Sequence, residues 1–204
     1  MSAVSLKHLV RLYEEAFREH GDSSAAVLWP KGRQELRFRA LTRHIESTGG
    51  FSVLDYGCGL AHLKPFLDHH YHDVTYTGAD AVQSFVDACG RKFPAPFFHA
   101  EAPNDVPGRF DYVVSSGVFN ILYEPEEVAH RKRVFEMLEA LFEKAGTFLA
   151  VDFMTDAVDY RQAGAYHQNV EEVYRFACDH LSRRLMIDQS YLPYEYTLTV
   201  WKRS

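Results

Sequence analysis

Apolar positions recur along this chain in two rhythms, and the change from one to the other divides it. Over the first fifty residues the rhythm is helical. Leu6, Leu9, Val10, Tyr13, Ala16 and Phe17 return at three- and four-residue spacing, which predicts an amphipathic opening helix, broken at Gly21-Asp22-Ser23-Ser24. Phe38, Leu41 and Ile45 carry the same period through a second helix that ends before Gly49-Gly50. Both helices precede any strand signal. Residues 1–49 are therefore expected to form a helical cap on a core spanning 50–204, the whole being one domain.

From residue 52 short apolar runs alternate with amphipathic stretches. The predicted strands are 52–55, 74–79, 94–99, 110–115 and 147–152, apolar on both faces as a sheet packed between helices requires. Helices are expected through His69, over 82–92 and over 126–144, the last with Val128, Phe135, Leu138 and Phe142 inward and Gly146 at its end. Asn169 and Glu172 read as a capping box for a helix ending near His180. Two further strands, 184–190 and 195–202, have only Tyr191 to Tyr194 between them. That is too short for a parallel crossover, so the pair must be antiparallel. The pattern predicts an α/β fold of Rossmann type: seven strands, mostly parallel, a C-terminal antiparallel hairpin, and helices on both faces.

Composition narrows the function classes. The chain has 204 residues, 47% hydrophobic and 25% charged, in the range of a globular protein. A net charge of −6 disfavours a broad nucleic-acid surface, and Arg131-Lys132-Arg133 reads as a solvated helix face. Cys58, Cys89 and Cys178 form neither a disulfide framework nor a paired metal motif. His69-His70-Tyr71-His72 lacks an acid or thiol at ligand spacing, so no metal is expected. With no signal-type segment and no apolar run of membrane length, the expectation is a cytoplasmic enzyme-sized domain, its oligomeric state open.

The chemistry concentrates at strand ends. In Val53-Leu54-Asp55-Tyr56-Gly57-Cys58-Gly59-Leu60-Ala61 a buried strand runs into a glycine turn that opens a helix. Glycines let a ligand approach the backbone closely. The acid two residues before the first glycine would repel a pyrophosphate but can hold a ligand's amino group. A dinucleotide fingerprint would also need a small residue where His62 stands. Asp80, about twenty residues past the turn, is placed to accept ribose hydroxyls, and Ala81 to lie against a base. Glu101 can reach an adenine edge, and Ser116-Gly117 closes the fourth strand on the same side.

With these residues in place the chain resembles the class I S-adenosylmethionine-dependent methyltransferases over roughly residues 50 to 202. The resemblance implies S-adenosylmethionine as cofactor and S-adenosylhomocysteine as product. It puts Asp55, Gly57, Gly59, Ser116 and Gly117 around the methionine part, Asp80 on the ribose and Glu101 near the adenine. The family's third turn glycine is Ala61 here, and Pro65 sits early in the next helix. A bacterial subgroup is also similar at Trp29, Gln34, Arg37 and Phe38, at Phe119-Asn120, and at Tyr194-Glu195-Tyr196-Thr197. Arg37 lies beside the apolar stripe of its helix, and an inward cation needs a partner. Either the cofactor's carboxylate or a neighbouring acid could serve. Tyr13 could join that carboxylate or be a core aromatic.

Methyl transfer depends on positioning the acceptor, and an oxygen acceptor also needs a base. Asp152 and His167 are the base candidates, and Asn120 is a candidate for orienting the acceptor. The 154–168 segment is the expected substrate lid. The partner implied is a small-molecule methyl acceptor, with no nucleic acid and no membrane. A non-catalytic cofactor-binding or scaffold protein on the same fold is the alternative.

Overall fold

A computed structural model describes residues 5–27, 33–46, 49–122, 124, 126–161 and 163–202, so Trp29 lies outside the described residues. Helices α1 (Leu6–His20) and α2 (Gln34–Thr42) come first. They are followed by β1 (Phe51–Tyr56), α3 (Leu63–His70), β2 (Val74–Asp80), α4 (Gln83–Lys92), β3 (Phe97–His99) and β4 (Phe110–Ser115). Then come α5 (Glu127–Lys144), β5 (Ala145–Met154), α6 (Val170–Phe176), β6 (Leu185–Leu192) and β7 (Glu195–Trp201).

The strands make one seven-stranded sheet in the order β3-β2-β1-β4-β5-β7-β6. β1 pairs in parallel with β2 and β4, and β4 in parallel with β5. Only β7 runs against its neighbours, β5 on one side and β6 on the other. The order reverses between β1 and β4. In open α/β sheets the ligand crevice lies beyond the carboxyl ends of the strands at that reversal.

Alternation along the strands feeds two cores. Val53, Val114, Phe148 and Ala150 face α2 and α3, with Phe38, Leu41, Leu63 and Leu67 against them. Their neighbours Leu54, Val113, Leu149 and Val151 face the other way, onto Val134, Leu138 and Leu141 of α5 and Val173 of α6. The two N-terminal helices separate here. α2 belongs to the helix layer on one face of the sheet. α1 has no fully buried residue and instead lies across the ligand end, its Tyr13 and Phe17 edge-on to Phe85 of α4 at 6.0 and 5.4 Å.

Three local expectations are corrected. Val128 is not inward but 65% exposed. The buried stripe of α5 runs through His130, Val134, Met137, Leu138, Leu141 and Phe142, and a two-residue offset turns Val128 by roughly 200° to the opposite side. Gly146 does not end α5, because Ala145 already begins β5. A Cβ at Gly146 would stand 3.2 Å from the Phe110 carbonyl oxygen, so this glycine admits the start of β4 at an irregularity in the pairing. Finally, only half of the capping box forms. The Asn169 side chain accepts from the Glu172 amide at 3.0 Å, whereas the Glu172 carboxylate pairs with Arg131 at 2.9 Å. Pro65 falls in the first turn of α3, where its missing N–H has no intrahelical use.

Candidate active site

β1 delivers Asp55 to the switch point, and the turn after it bends back over β2. The amides of Gly57 and Cys58 both donate to the Ala79 carbonyl, at 2.7 and 3.0 Å. Gly57 has φ +75°, and a Cβ there would lie 2.0 Å from Cγ2 of Val118. No other residue fits. Ala61, standing where a third glycine would, also takes a left-handed conformation, with φ 54°.

Asp80 fastens this turn. Its Oδ2 accepts the Gly59 amide at 2.8 Å and its Oδ1 the Val82 amide at 2.9 Å, while the carboxylate still lines the crevice. Asp55 accepts the Tyr76 hydroxyl at 2.7 Å. Burial pushes the Asp55 carboxyl up to about 7, helped by the neighbouring charge of Asp80 and opposed by the Tyr76 hydrogen bond. Glu101 is exposed on the same crevice. Its loop is shaped by Asp105, whose Oδ2 accepts the amides of Glu101 and Ala102 at 3.0 and 2.8 Å.

The crevice encloses about 1100 Å³, open mouth included. Asp55, Gly57, Gly59, Asp80, Ala81, Glu101, Ser116 and Gly117 all line it, so eight of the residues singled out from the sequence meet at one cleft. α1 supplies its remaining wall through Leu6, Leu9, Val10 and Tyr13. Burial, with the charge of Asp80, raises the Tyr13 phenol well above its ordinary range. Three carboxyls face one guanidinium, that of Arg133. This lining suits a ligand with cationic groups and sugar hydroxyls, and opposes a pyrophosphate.

A second chamber, about 1610 Å³ with its mouth, adjoins the first and shares Leu9, Tyr13, Val27, Gly117 and Ile121 with it. His167, Asn120, Arg37 and Arg33 line this chamber. The expected lid forms its outer wall and is pinned at both ends. Ile121 bridges to Ala165, and Thr155 bridges to Gln168.

No family model matches the chain. A curated protein of Mycobacterium tuberculosis, Rv1506c, a methyltransferase by inference, is 27% identical over 169 residues, 79% of this chain and 99% of that one. Among solved structures, magnesium protoporphyrin IX methyltransferase from Synechocystis PCC 6803, with bound S-adenosylhomocysteine, superposes with a TM-score of 0.66 at 16% identity. The match covers 97% of this chain and 100% of that one. The N-methyltransferase NodS from Bradyrhizobium japonicum, also with S-adenosylhomocysteine, gives 0.65 at 15% identity, over 95% and 99%. The chain has the fold of the class I S-adenosylmethionine-dependent methyltransferases.

Within this methyltransferase fold the remaining candidates take positions that the sequence did not foretell. Arg37 does not reach the first cleft. Its guanidinium grips Glu195, the first residue of β7, through both Nε and Nη2, and the pair is almost wholly buried. Of its two possible partners, the neighbouring acid holds it. Asp152 is fully buried and lines neither chamber. Its Oδ2 accepts the Ser116 hydroxyl at 2.6 Å, and its Oδ1 accepts the Gly117 amide at 2.8 Å and the Asn120 amide nitrogen at 3.3 Å. Burial raises the Asp152 carboxyl, with Arg37 pulling the other way. These bonds make Asp152 a brace that clamps the 116–120 loop to β5.

Asn120 is equally committed, since its Oδ1 accepts the Met154 amide at 2.8 Å. His167 differs. Its Nδ1 meets the Thr155 carbonyl oxygen at 2.8 Å, and a carbonyl can only accept, so Nδ1 carries the proton. In the neutral ring Nε2 is then the acceptor, and it has no hydrogen-bond partner among the described residues, although it is shielded from solvent. Among the described residues no cluster of His, Cys, Asp or Glu could hold a metal, and no helix is long and apolar enough to cross a membrane.

Proposed function

We propose that this chain is a working S-adenosylmethionine-dependent methyltransferase whose acceptor is a small molecule. The observation that carries the reading is the pair of adjoining chambers, one lined by carboxyls, the other holding a buried histidine nitrogen without a partner among the described residues. In this reading the first cleft takes the cofactor. Asp55 meets its ammonium, Asp80 and Glu101 meet the adenosine, and the glycine turn and Ser116-Gly117 follow the methionine part. When bound, the cofactor supplies an electrophilic methyl group on a sulfonium.

The chain's own residues do the rest. Gly57 and Gly59 leave room for the ligand against the backbone. Asp152 holds Ser116 and Gly117 at the junction of the chambers, and Asn120 links the same loop to β5. α1 covers the cleft and limits water. His167, held in one tautomer by Thr155, is the group able to take a proton from an acceptor through Nε2.

Calorimetric titration with S-adenosylhomocysteine, with NAD alongside, tests the cofactor assignment. Micromolar binding, roughly −8 kcal/mol, with NAD silent is the expected result. Mass-spectrometric detection of a methylated product then separates an enzyme from a cofactor-binding scaffold. Folded protein that binds neither S-adenosylhomocysteine nor S-adenosylmethionine would overturn the reading.

A further inference from the structure

The second chamber is specific enough to name an acceptor class, an inference that rests on the function proposed above. Four charged side chains line it: Arg33, Arg37, Asp159 and Glu195. Arg37 and Glu195 neutralise each other. Asp159 accepts the Tyr194 hydroxyl at 2.9 Å. Arg33, one helical turn before Arg37, is exposed; its carbonyl accepts the Arg37 amide at 3.3 Å, and its guanidinium makes no hydrogen bond or ion pair among the described residues. It is the uncommitted charge among the described residues that line the chamber.

Apart from Asn120 and His167, the remaining lining is apolar and aromatic. Leu12, Val158 and Met154 contribute to its wall, and Tyr160 and Tyr194 stand on it 79% and 44% exposed. Exposed aromatic rings beside a cleft suit the face of a planar ligand. The proton acceptor in this chamber is an imidazole, a weak base. Such a base is matched to a hydroxyl of phenolic or enolic acidity, and poorly to an aliphatic alcohol.

The geometry points to an aromatic or enolic hydroxy acid as the methyl acceptor, its hydroxyl at His167 Nε2 and its anionic group at Arg33. In the transfer the hydroxyl proton moves to Nε2 while an oxygen lone pair forms the new O–CH3 bond. The S–CH3 bond breaks with its electron pair passing to sulfur, leaving the neutral thioether. Charge and atoms balance without an oxidant or metal. Asn120 and Asp152, engaged with the loop and β5, hold the site and take no proton.

The test uses the full chain loaded with S-adenosylhomocysteine for binding, and with S-adenosylmethionine for turnover. The probes are the hydroxybenzoates, phenol, benzyl alcohol and 4-hydroxybenzylamine. Calorimetry is expected to show at least one hydroxybenzoate binding more tightly than phenol, and Arg33→Ala is expected to erase that difference without changing S-adenosylhomocysteine affinity. The methyl is expected on the ring hydroxyl oxygen, and His167→Asn is expected to slow transfer by roughly 10²–10⁴-fold while the hydroxybenzoate still binds. Benzyl alcohol or the amine nitrogen methylated in preference would overturn the inference. So would a carboxylate preference that survives Arg33→Ala, or a chain that binds S-adenosylhomocysteine yet neither binds nor methylates any hydroxybenzoate. Failure of S-adenosylhomocysteine itself to bind would instead sink the cofactor assignment, so the two failures are distinguishable.

Discussion

Arg37 on α2 and Glu195 at the start of β7 are 158 residues apart in sequence and meet as a two-pronged, nearly buried ion pair. The pair ties α2 to the start of β7. It also sets a cation near Asp152, whose buried carboxyl it steadies.

Removing one member alone should therefore be costly. Arg37→Ala leaves Glu195 buried and unpaired beside Asp152, and an effect of about 3–5 kcal/mol on unfolding is expected. Arg37→Met with Glu195→Leu should be much milder, because neither charge is then stranded. Urea denaturation of the two variants checks this. Equal losses would show that packing, and not the stranded charge, sets the cost.

Asp55 predicts a proton linkage. Its carboxyl is raised to about 7 in the folded chain, so the folded state holds a proton that the unfolded state has already lost between about pH 4 and 7. The Asp55 contribution to stability is therefore fully present below that window and falls as pH rises through it. A cationic ligand at Asp55 favours the charged form, so binding at pH 6 should release a proton. Calorimetry in buffers of different ionisation enthalpy reads the number directly. Tyr76→Phe removes the hydrogen bond that favours the carboxylate, and the release should persist to higher pH.

Gly57→Ala is expected to fail at both folding and binding. The residue would carry a positive φ, costing about 1–2 kcal/mol, and its methyl would press on Val118, which lines the first cleft. Thermal denaturation should show a lowered midpoint, and S-adenosylhomocysteine binding should be lost even well below that midpoint. Retained affinity would remove the glycine turn from the site.

His167 should separate chemistry from cofactor binding. His167→Asn is expected to lower the transfer rate by roughly 10²–10⁴-fold, the usual range for a positioned general base. S-adenosylhomocysteine affinity should be unchanged, because His167 lines only the second chamber. A variant as fast as the wild type would mean that the acceptor needs no base.

The strand rhythm, the hairpin and the convergence on the first cleft were legible because short apolar runs and a glycine turn are local signals. Their counterparts inside the fold were not. Nothing near Arg37 announces Glu195, since the partner stands 158 residues away at the start of β7. Asp105 gives no motif, yet its carboxylate shapes the loop that carries Glu101. A strand-end acid such as Asp152 reads in sequence as a base, and only three donors converging on it reveal a brace. The α5 stripe was misread at Val128 because a polar residue, His130, fills the inward position one would give to an apolar one. α2 could not be told from a cap, because an amphipathic helix does not say which surface it covers.

The position of α1 divides the chain by what each part is for. Its residues contribute nothing to the two cores that flank the sheet, yet they wall both chambers. A chain shortened to begin at Arg33 would keep all seven strands and every carboxylate of the first cleft, and would still lack one side of each chamber. Such a protein would also lose Ala26 and Val27 from the apolar cluster they form with Leu60, Val82 and Phe85, so the stretch that encloses the ligands is the one that covers apolar surface at that end of the sheet.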